Sequence, residues 1–186
     1  MPNKEKVVEK FLSMIFLECL GVDKNDPHMK DTPKRLAKYW VNDVFKNIGK
    51  EFTNYTTFPN DEEYDQIITL RCNFHSVCAH HLLPFYGKAW LFYIPDKLII
   101  GGSKPLRSVK HYAAMPQTQE RLCHQVINSF DKAVKPKGVM VVMKANHTCM
   151  SCRGVDDPDA FMGAQAVKGL FATDDSAKME ALMLLE

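Results

Sequence analysis

QIITLRCNFHSVCAHHLLPFYGKAWLFYIPDKLIIGG, residues 66–102, contains three runs rich in branched and aromatic side chains: IITLRCNF (67–74), GKAWLFYIP (87–95) and KLIIGG (97–102). Each is bounded by Gly, Pro or Asp, the composition and punctuation of β-strands. Further on, GVMVVMKANHTC (138–149) alternates Val139, Val141 and Met143 against Met140 and Val142, a strand with both faces apolar. Between them, Pro116 precedes QTQERLCHQVINSFDKAV, where Leu122, Val126, Phe130 and Val134 recur every four residues. That spacing predicts a long amphipathic helix, broken by Lys135-Pro136-Lys137-Gly138. AFMGAQAVKGLFA (160–172) reads as a strand or an irregular segment, and SAKMEALMLLE (176–186) as a short terminal helix. The order of strands and helices predicts an α+β layered fold.

Outward toward the N-terminus the pattern turns helical. Val8, Phe11, Leu12, Ile15, Phe16 and Leu20 fall at helical spacing, with Gly21 as a stop. A second helix opens at Asp31-Thr32-Pro33, with Thr32 as cap and Pro33 in the first position. It carries Leu36, Tyr39, Trp40, Val44 and Ile48 on one side and ends at Gly49. Residues 49–64 are polar and turn-rich, a linker candidate. The expected organisation is therefore an N-terminal helical segment over 1–50 and a second, catalytic domain over 51–186.

The composition narrows the function. With 46% apolar residues among 186, the chain can bury a substantial core. Its 24 basic and 22 acidic residues leave a formal charge of +2, far from the basic footprint of a nucleic-acid binder, so any anion site must be local. No apolar run reaches the roughly 18 residues that span a bilayer, and the first residues read as an amphipathic helix, not a signal. A cytoplasmic protein with reduced thiols is the expectation, its six cysteines not forming a disulfide framework. Cys19, Cys72 and Cys123 lie among apolar neighbours, where structural burial is the plain reading.

Cys78 and Cys149 stand beside histidines instead. Cys78-Ala79-His80-His81 and His147-Thr148-Cys149 are two clusters of donors that fit one metal. Zinc takes thiolate and imidazole tetrahedrally, and catalytic sites use three protein ligands. Cys78, His81 and Cys149 would make such a set, leaving His80 and His147 for proton transfer near neutral pH. A closed structural site of Cys78, His81, Cys149 and Cys152 fits the same spacing.

Gly101-Gly102-Ser103-Lys104 with Arg107 lies at a strand-to-helix junction, where backbone N–H groups favour phosphate. Arg153 follows the second cluster, and Arg35 and Lys38 on the second helix add charge for a triphosphate. Taken singly, each of these cations reads equally as solvated surface. Gln119 and Glu120 begin the long helix, where the carboxylate could accept from the N1–H and 2-amino group of a guanine, or simply sit at the positive helix end.

Cys-x-His-His-Leu-Leu-Pro-Phe, Gly-Lys-Ala, Tyr-Ile-Pro, Ile-Gly-Gly-Ser-Lys-x-x-Arg, Gln-x-Gln-Glu-Arg-Leu and His-x-Cys-Met-x-x-Arg-Gly occur in that order between Asp31 and Gly154. The series resembles the GTP cyclohydrolase I family. The resemblance implies the tunnelling fold, an antiparallel sheet with paired helices that joins other copies in a ring, usually a homodecamer with active sites between subunits. It implies Zn2+ on Cys78, His81 and Cys149, with Cys152 not a ligand. It further implies that a metal-activated water attacks C8 of the guanine of GTP while His147 protonates N7. Formate is lost, and His80, helped by Ser103 near the ribose, serves the later proton transfers toward 7,8-dihydroneopterin triphosphate. Gln119 and Glu120 would anchor guanine, and Arg35, Lys38, Lys104, Arg107 and Arg153 the triphosphate.

The chain departs from the family pattern at Ala79, where Glu is usual, at Ala114 and Met115, where arginine is usual, and in the acidic segment Val155–Asp159. Two other readings therefore stand beside the first: a paralogue acting on a different purine nucleotide, and a zinc- or nucleotide-binding protein without turnover. The second has no use for both His80 and His147.

Overall fold

The computed structural model describes residues 3–185, which divide into two compact units with the boundary between Ile48 and Gly49. The first unit is helical. Helix α1 (Lys4–Met14) is capped by Asn3, whose side chain accepts from the N–H groups of Glu5 and Lys6. It passes into a wider π-helical turn over Ile15–Cys19, and Gly21, at φ 67°, takes the left-handed conformation that ends it. Helix α2 spans Thr32–Tyr39 and also widens into a π turn, over Trp40–Val44. Asp31, not Thr32, occupies the cap position, and it makes no side-chain capping bond. Thr32 is already helical, and its hydroxyl accepts from the Arg35 guanidinium instead. The widening also rotates the expected apolar stripe: Pro33, Ala37 and Val44 are buried, whereas Tyr39 and Ile48 are exposed.

The second unit is built on a sheet. Strands β1 (Thr57–Pro59), β2 (Ile68–Cys78), β3 (Pro84–Ile94) and β4 (Leu98–Ile100) come first, then helix α3 (Ser103–Ala113) and strand β5 (Pro116–Gln117). Helix α4 (Gln119–Val134), β6 (Gly138–His147), the short α5 (Thr148–Ser151), β7 (Met162–Gly169), α6 (Leu170–Thr173) and α7 (Asp175–Met183) follow. Among the described residues the main sheet has five strands in the order β5-β2-β3-β6-β7, and β1 pairs with β4 in a second small sheet. All neighbours run antiparallel except β2 with β5.

Side-chain alternation gives the sheet two apolar faces. Phe85, Ala89, Leu91 and Tyr93 of β3 and Val139, Val141 and Met143 of β6 pack with Val109, Leu122, Val126, Ile127 and Phe130 of α3 and α4. On the other face Trp90, Phe92, Ile94, Met140 and Val142 pack with Phe171 and Ala181 of α6 and α7. At Gly87 the β3 and β6 backbones approach so closely that a Cβ would lie 2.0 Å from the Lys144 carbonyl oxygen, so only glycine fits.

Two expectations change. Residues 49–56 lie against the core, not as a free linker: the Phe52 N–H donates to Tyr112 Oη at 3.1 Å and Tyr55 Oη donates to Ser129 Oγ at 3.0 Å. The long helix starts at Gln119, because Thr118 caps it by accepting from the Arg121 N–H. Pro116 and Gln117 are a strand beside the end of β2. Among the described residues no helix is long and apolar enough to cross a membrane.

Candidate active site

Sheet register brings the two cysteine-histidine clusters together. Phe85 on β3 pairs with Ser76 on one side and His147 on the other, so Cys78 and Cys149, each two residues beyond its partner, share one end of the sheet. The β2–β3 connection is a tight turn. The Leu82 N–H donates to the Cys78 carbonyl at 2.8 Å and the Cys78 N–H to the Leu83 carbonyl at 2.8 Å, while Leu82 takes φ 55°. On the other side Thr148 Oγ1 donates to the Pro84 carbonyl at 2.6 Å and holds α5 against β3.

The donor atoms of Cys78, His81 and Cys149 lie within 4.8 Å of one another, with Cys78 Sγ 3.8 Å from His81 Nδ1. At zinc bond lengths, tetrahedral donors stand roughly 3.5–4 Å apart, so two sulfurs and an imidazole at this spacing fit a zinc ion with little movement. Burial, and then the adjacent Cys78, push the Cys149 thiol up, while Arg153 pulls it down; a cation between the two sulfurs would remove the first two penalties. Cys152 lies outside the group, its Sγ directed at the Thr148 carbonyl 2.7 Å away.

His147 is 6% exposed and stacks on Phe85, with ring centroids 4.3 Å apart and planes 5° from parallel. Its Nε2 lies 2.9 Å from Gln119 Oε1. Burial lowers its pKa, against an upward pull from Glu120. His80 is exposed, its ring edge-on to His81 at 6.2 Å. Two imidazoles thus flank the donor group in different surroundings, one fixed and one open.

Gln119 departs from its expected role. It is 1% exposed, and its amide nitrogen lies 2.9 Å from the carbonyl oxygens of both Met143 and Met162, which leaves no donor for a base. Glu120, one residue on, is exposed. Gln117 is fully buried and ties Arg121, Gln125 and the Tyr112 carbonyl together, while its own carbonyl accepts from the Ala79 N–H at 2.8 Å. Gln117, Arg121 and Phe85 stand within the sequence motifs, which assign them no role; two glutamines spaced two apart on a strand entering a helix are the available signal.

The basic residues are placed differently. Ser103 opens α3, and Lys104 Nζ donates to Asn54 Oδ1 at 3.0 Å. The adjacent Gly102 lies against Leu70, where a Cβ would be 3.4 Å from Leu70 Cδ2. Leu70 and Cys78 are eight residues apart on β2, about 26 Å at the rise of a strand. The other end of α3 is the one near the metal group, since Ser76 Oγ donates to the Ala113 carbonyl. Within one chain, then, the start of α3 and the donor group stand at opposite ends of β2. Arg153 is on the donor-group side, close enough to act on Cys149. In the first unit, Arg35 donates to the His28 carbonyl at 3.0 Å and lies 3.9 Å from Asp31, and Lys38 is exposed.

Known proteins resemble this chain along most of its length. Residues 8–186 match the family model described as GTP cyclohydrolase I. GTP cyclohydrolase 1 of Sulfurihydrogenibium sp. (strain YO3AOP1) is 41% identical over 92% of this chain and 90% of its own length. GTP cyclohydrolase 1 of Aquifex aeolicus (strain VF5) is 37% identical over 99% and 97%. That of Carboxydothermus hydrogenoformans is 39% identical over 100% and 96%. Among solved structures, the archaeosine synthase QueF-Like in the apo form is 16% identical with a TM-score of 0.46, over 55% of this chain and 93% of that one. Matched along nearly its whole length and carrying the cysteine-histidine donor group at the end of its central sheet, the chain belongs to the GTP cyclohydrolase I family.

Proposed function

We propose that this chain hydrolyses GTP, opening the imidazole ring of guanine, releasing C8 as formate and leaving 7,8-dihydroneopterin triphosphate. The observation that carries the reading is the juxtaposition of a three-donor metal group with a buried, oriented His147. Cys78, His81 and Cys149 would hold zinc, which supplies Lewis acidity and an activated water at neutral pH. His147, kept neutral at rest by burial, accepts the proton released by the attacking water and passes it to N7 as the C8–N bond weakens. His80 is open to solvent and serves the slower proton transfers after ring opening. Ser103 acts beside the ribose in those steps.

Glu120 is the guanine anchor, since it is exposed at the start of α4. Lys104, Arg107 and Arg153, with Arg35 and Lys38, bind the triphosphate through charge-assisted contacts. The separation of the start of α3 from the donor group, about 26 Å along β2, supports a site shared between copies. We place the chain in the tunnelling fold and in a ring, a homodecamer, in which one copy's donor group faces another's phosphate turn.

The deciding experiment incubates the zinc-loaded protein with GTP and follows formate and pterin fluorescence. Equal yields of both are expected. Absence of both from a preparation with stoichiometric zinc would overturn the assignment, and ring opening of a different purine nucleotide in preference to GTP would redirect it.

A further inference from the structure

We infer that Gln119 is a positioning residue that fixes the tautomer and the facing of His147, so that the proton exchanged with the substrate travels through Nδ1. The argument starts from the amide. A side-chain amide has two N–H donors on nitrogen and acceptor lone pairs on oxygen, and its flip is decided by its partners. Gln119 nitrogen lies 2.9 Å from the Met143 carbonyl oxygen and 2.9 Å from that of Met162. Two carbonyl oxygens can be met only by donors, so the NH2 end faces β6 and β7 and both of its hydrogens are used. The oxygen end must then face His147.

The consequence falls on the imidazole. His147 Nε2 sits 2.9 Å from that oxygen, and an acceptor at that distance requires a hydrogen on Nε2. With one ring nitrogen committed as donor, the neutral ring carries its lone pair on Nδ1. Phe85 closes one ring face by parallel stacking, so the imidazole can neither flip nor tilt without breaking a buried hydrogen bond and a stacked contact. Both Met143 and Met162 belong to the sheet that carries the donor group: Met143 lies on β6 four residues before His147, and Met162 starts β7 opposite Ala145. Gln119 thus couples α4 to the two strands at the point where His147 must be held. Gln-to-His positioning by a neutral amide differs from the carboxylate–imidazole pair of hydrolytic triads in adding no charge beside the metal group.

This inference rests on the proposed ring-opening chemistry for its kinetic consequence, but its geometric part can be read without turnover. The holoenzyme labelled with nitrogen-15 histidine would be studied by long-range proton–nitrogen correlation, with His147 assigned by its loss in His147→Ala. The expected wild-type signature is a protonated Nε2 and an unprotonated Nδ1. Gln119→Leu removes the acceptor and should mix the tautomers, lowering kcat for formate release about tenfold or more with KM for GTP within about twofold. Should the leucine variant fail to fold, the wild-type spectrum still decides the geometric part, since it needs no substitution at Gln119. A wild-type ring protonated on Nδ1, or a folded Gln119→Leu variant that keeps the wild-type tautomer, overturns the inference. A large rise in KM at unchanged kcat in Gln119→Leu also overturns it, making Gln119 a guanine contact. If GTP is not turned over at all yet the tautomer responds to Gln119 as described, the positioning relation stands and the reaction assignment falls.

Discussion

Phe85 and His147 are directly opposed across the β3–β6 ladder, and their rings stack with centroids 4.3 Å apart and planes 5° from parallel. Phe85 has no exposed surface and packs edge-on to Phe74 on its other side, so it carries the hydrophobic core directly into the active site. Replacing it with alanine should cost about 3–5 kcal/mol through lost burial and the cavity left behind. Phe85→Leu separates the two roles. It should cost less than about 1.5 kcal/mol if the site repacks, while the unstacked imidazole lowers kcat several-fold. Denaturation at fixed protein concentration, paired with initial rates, tests this; a leucine variant with wild-type kcat would show that stacking does not orient His147.

The metal group makes a chemical prediction about thiols. Cys78→Ala, His81→Ala and Cys149→Ala should each lose stoichiometric zinc, and Cys152→Ala should keep it, because Cys152 is directed at the Thr148 carbonyl and not at the donor group. Chelation should open Cys149, which is partly exposed, to alkylation, with Cys78, 5% exposed, reacting more slowly. Cys123 should remain unreactive in both states: its side chain is fully buried, and burial, followed by Glu120, pushes its thiol up to about 12, where the nucleophilic thiolate is scarce at neutral pH. Mass mapping of alkylated sites before and after chelation checks these three cysteines, and metal analysis checks the four alanine variants. Zinc loss in Cys152→Ala would instead indicate a closed four-ligand site.

The two free histidines should fail at different stages. His147→Ala should retain zinc and bind GTP yet stall at or before ring opening, since the buried group proposed to serve N7 is gone. His80→Ala should still release formate in part but should not complete the pterin. Quenched time courses resolving formate, the ring-opened intermediate and the pterin give the order of failure. Complete pterin formation in either variant removes that residue from the proton-transfer scheme.

What the sequence disclosed depended on how local the signal was. The strands 68–78, 84–94 and 138–147 and the helix 119–134 were legible because their apolar periods are dictated by their own side chains. The donor group was legible because zinc demands particular atoms. The packing of residues 49–56 is not legible in the sequence, because Phe52 and Tyr55 find their partners, Tyr112 and Ser129, more than fifty positions away, and polar composition does not report such contacts. Thr32 was given the cap because its composition suits one, but the chain's approach to α2 puts Asp31 in that place. Gln119 reads in the sequence as one of a pair with Glu120 that could hold a guanine edge at the start of the long helix. Its three internal partners lie on β6, at the β7 start and on His147, a convergence that only the sheet register creates.

The separation along β2 gives the last prediction. Gly102 rests against Leu70, eight residues from Cys78 on the same strand, so in the proposed shared site a substrate spanning the donor group and Lys104 would use two different chains. Arg153, by contrast, acts electrostatically on Cys149 of its own chain. Cys149→Ala and Lys104→Ala should each be nearly inactive alone, the first without zinc and the second with a strongly raised KM for GTP. Co-expressed in equal amounts under different tags, they should regain activity at about a quarter of the sites, because random assortment in a ring pairs an intact donor group with an intact Lys104 that often. Co-expression of Cys149→Ala with Arg153→Ala should regain nothing, as both defects fall on the same part of every site. Activity of doubly tag-purified oligomers distinguishes the cases. Recovery in neither mixture would place Lys104 and the donor group of one chain in one site, and would require β2 to bend far enough to bring its two ends together.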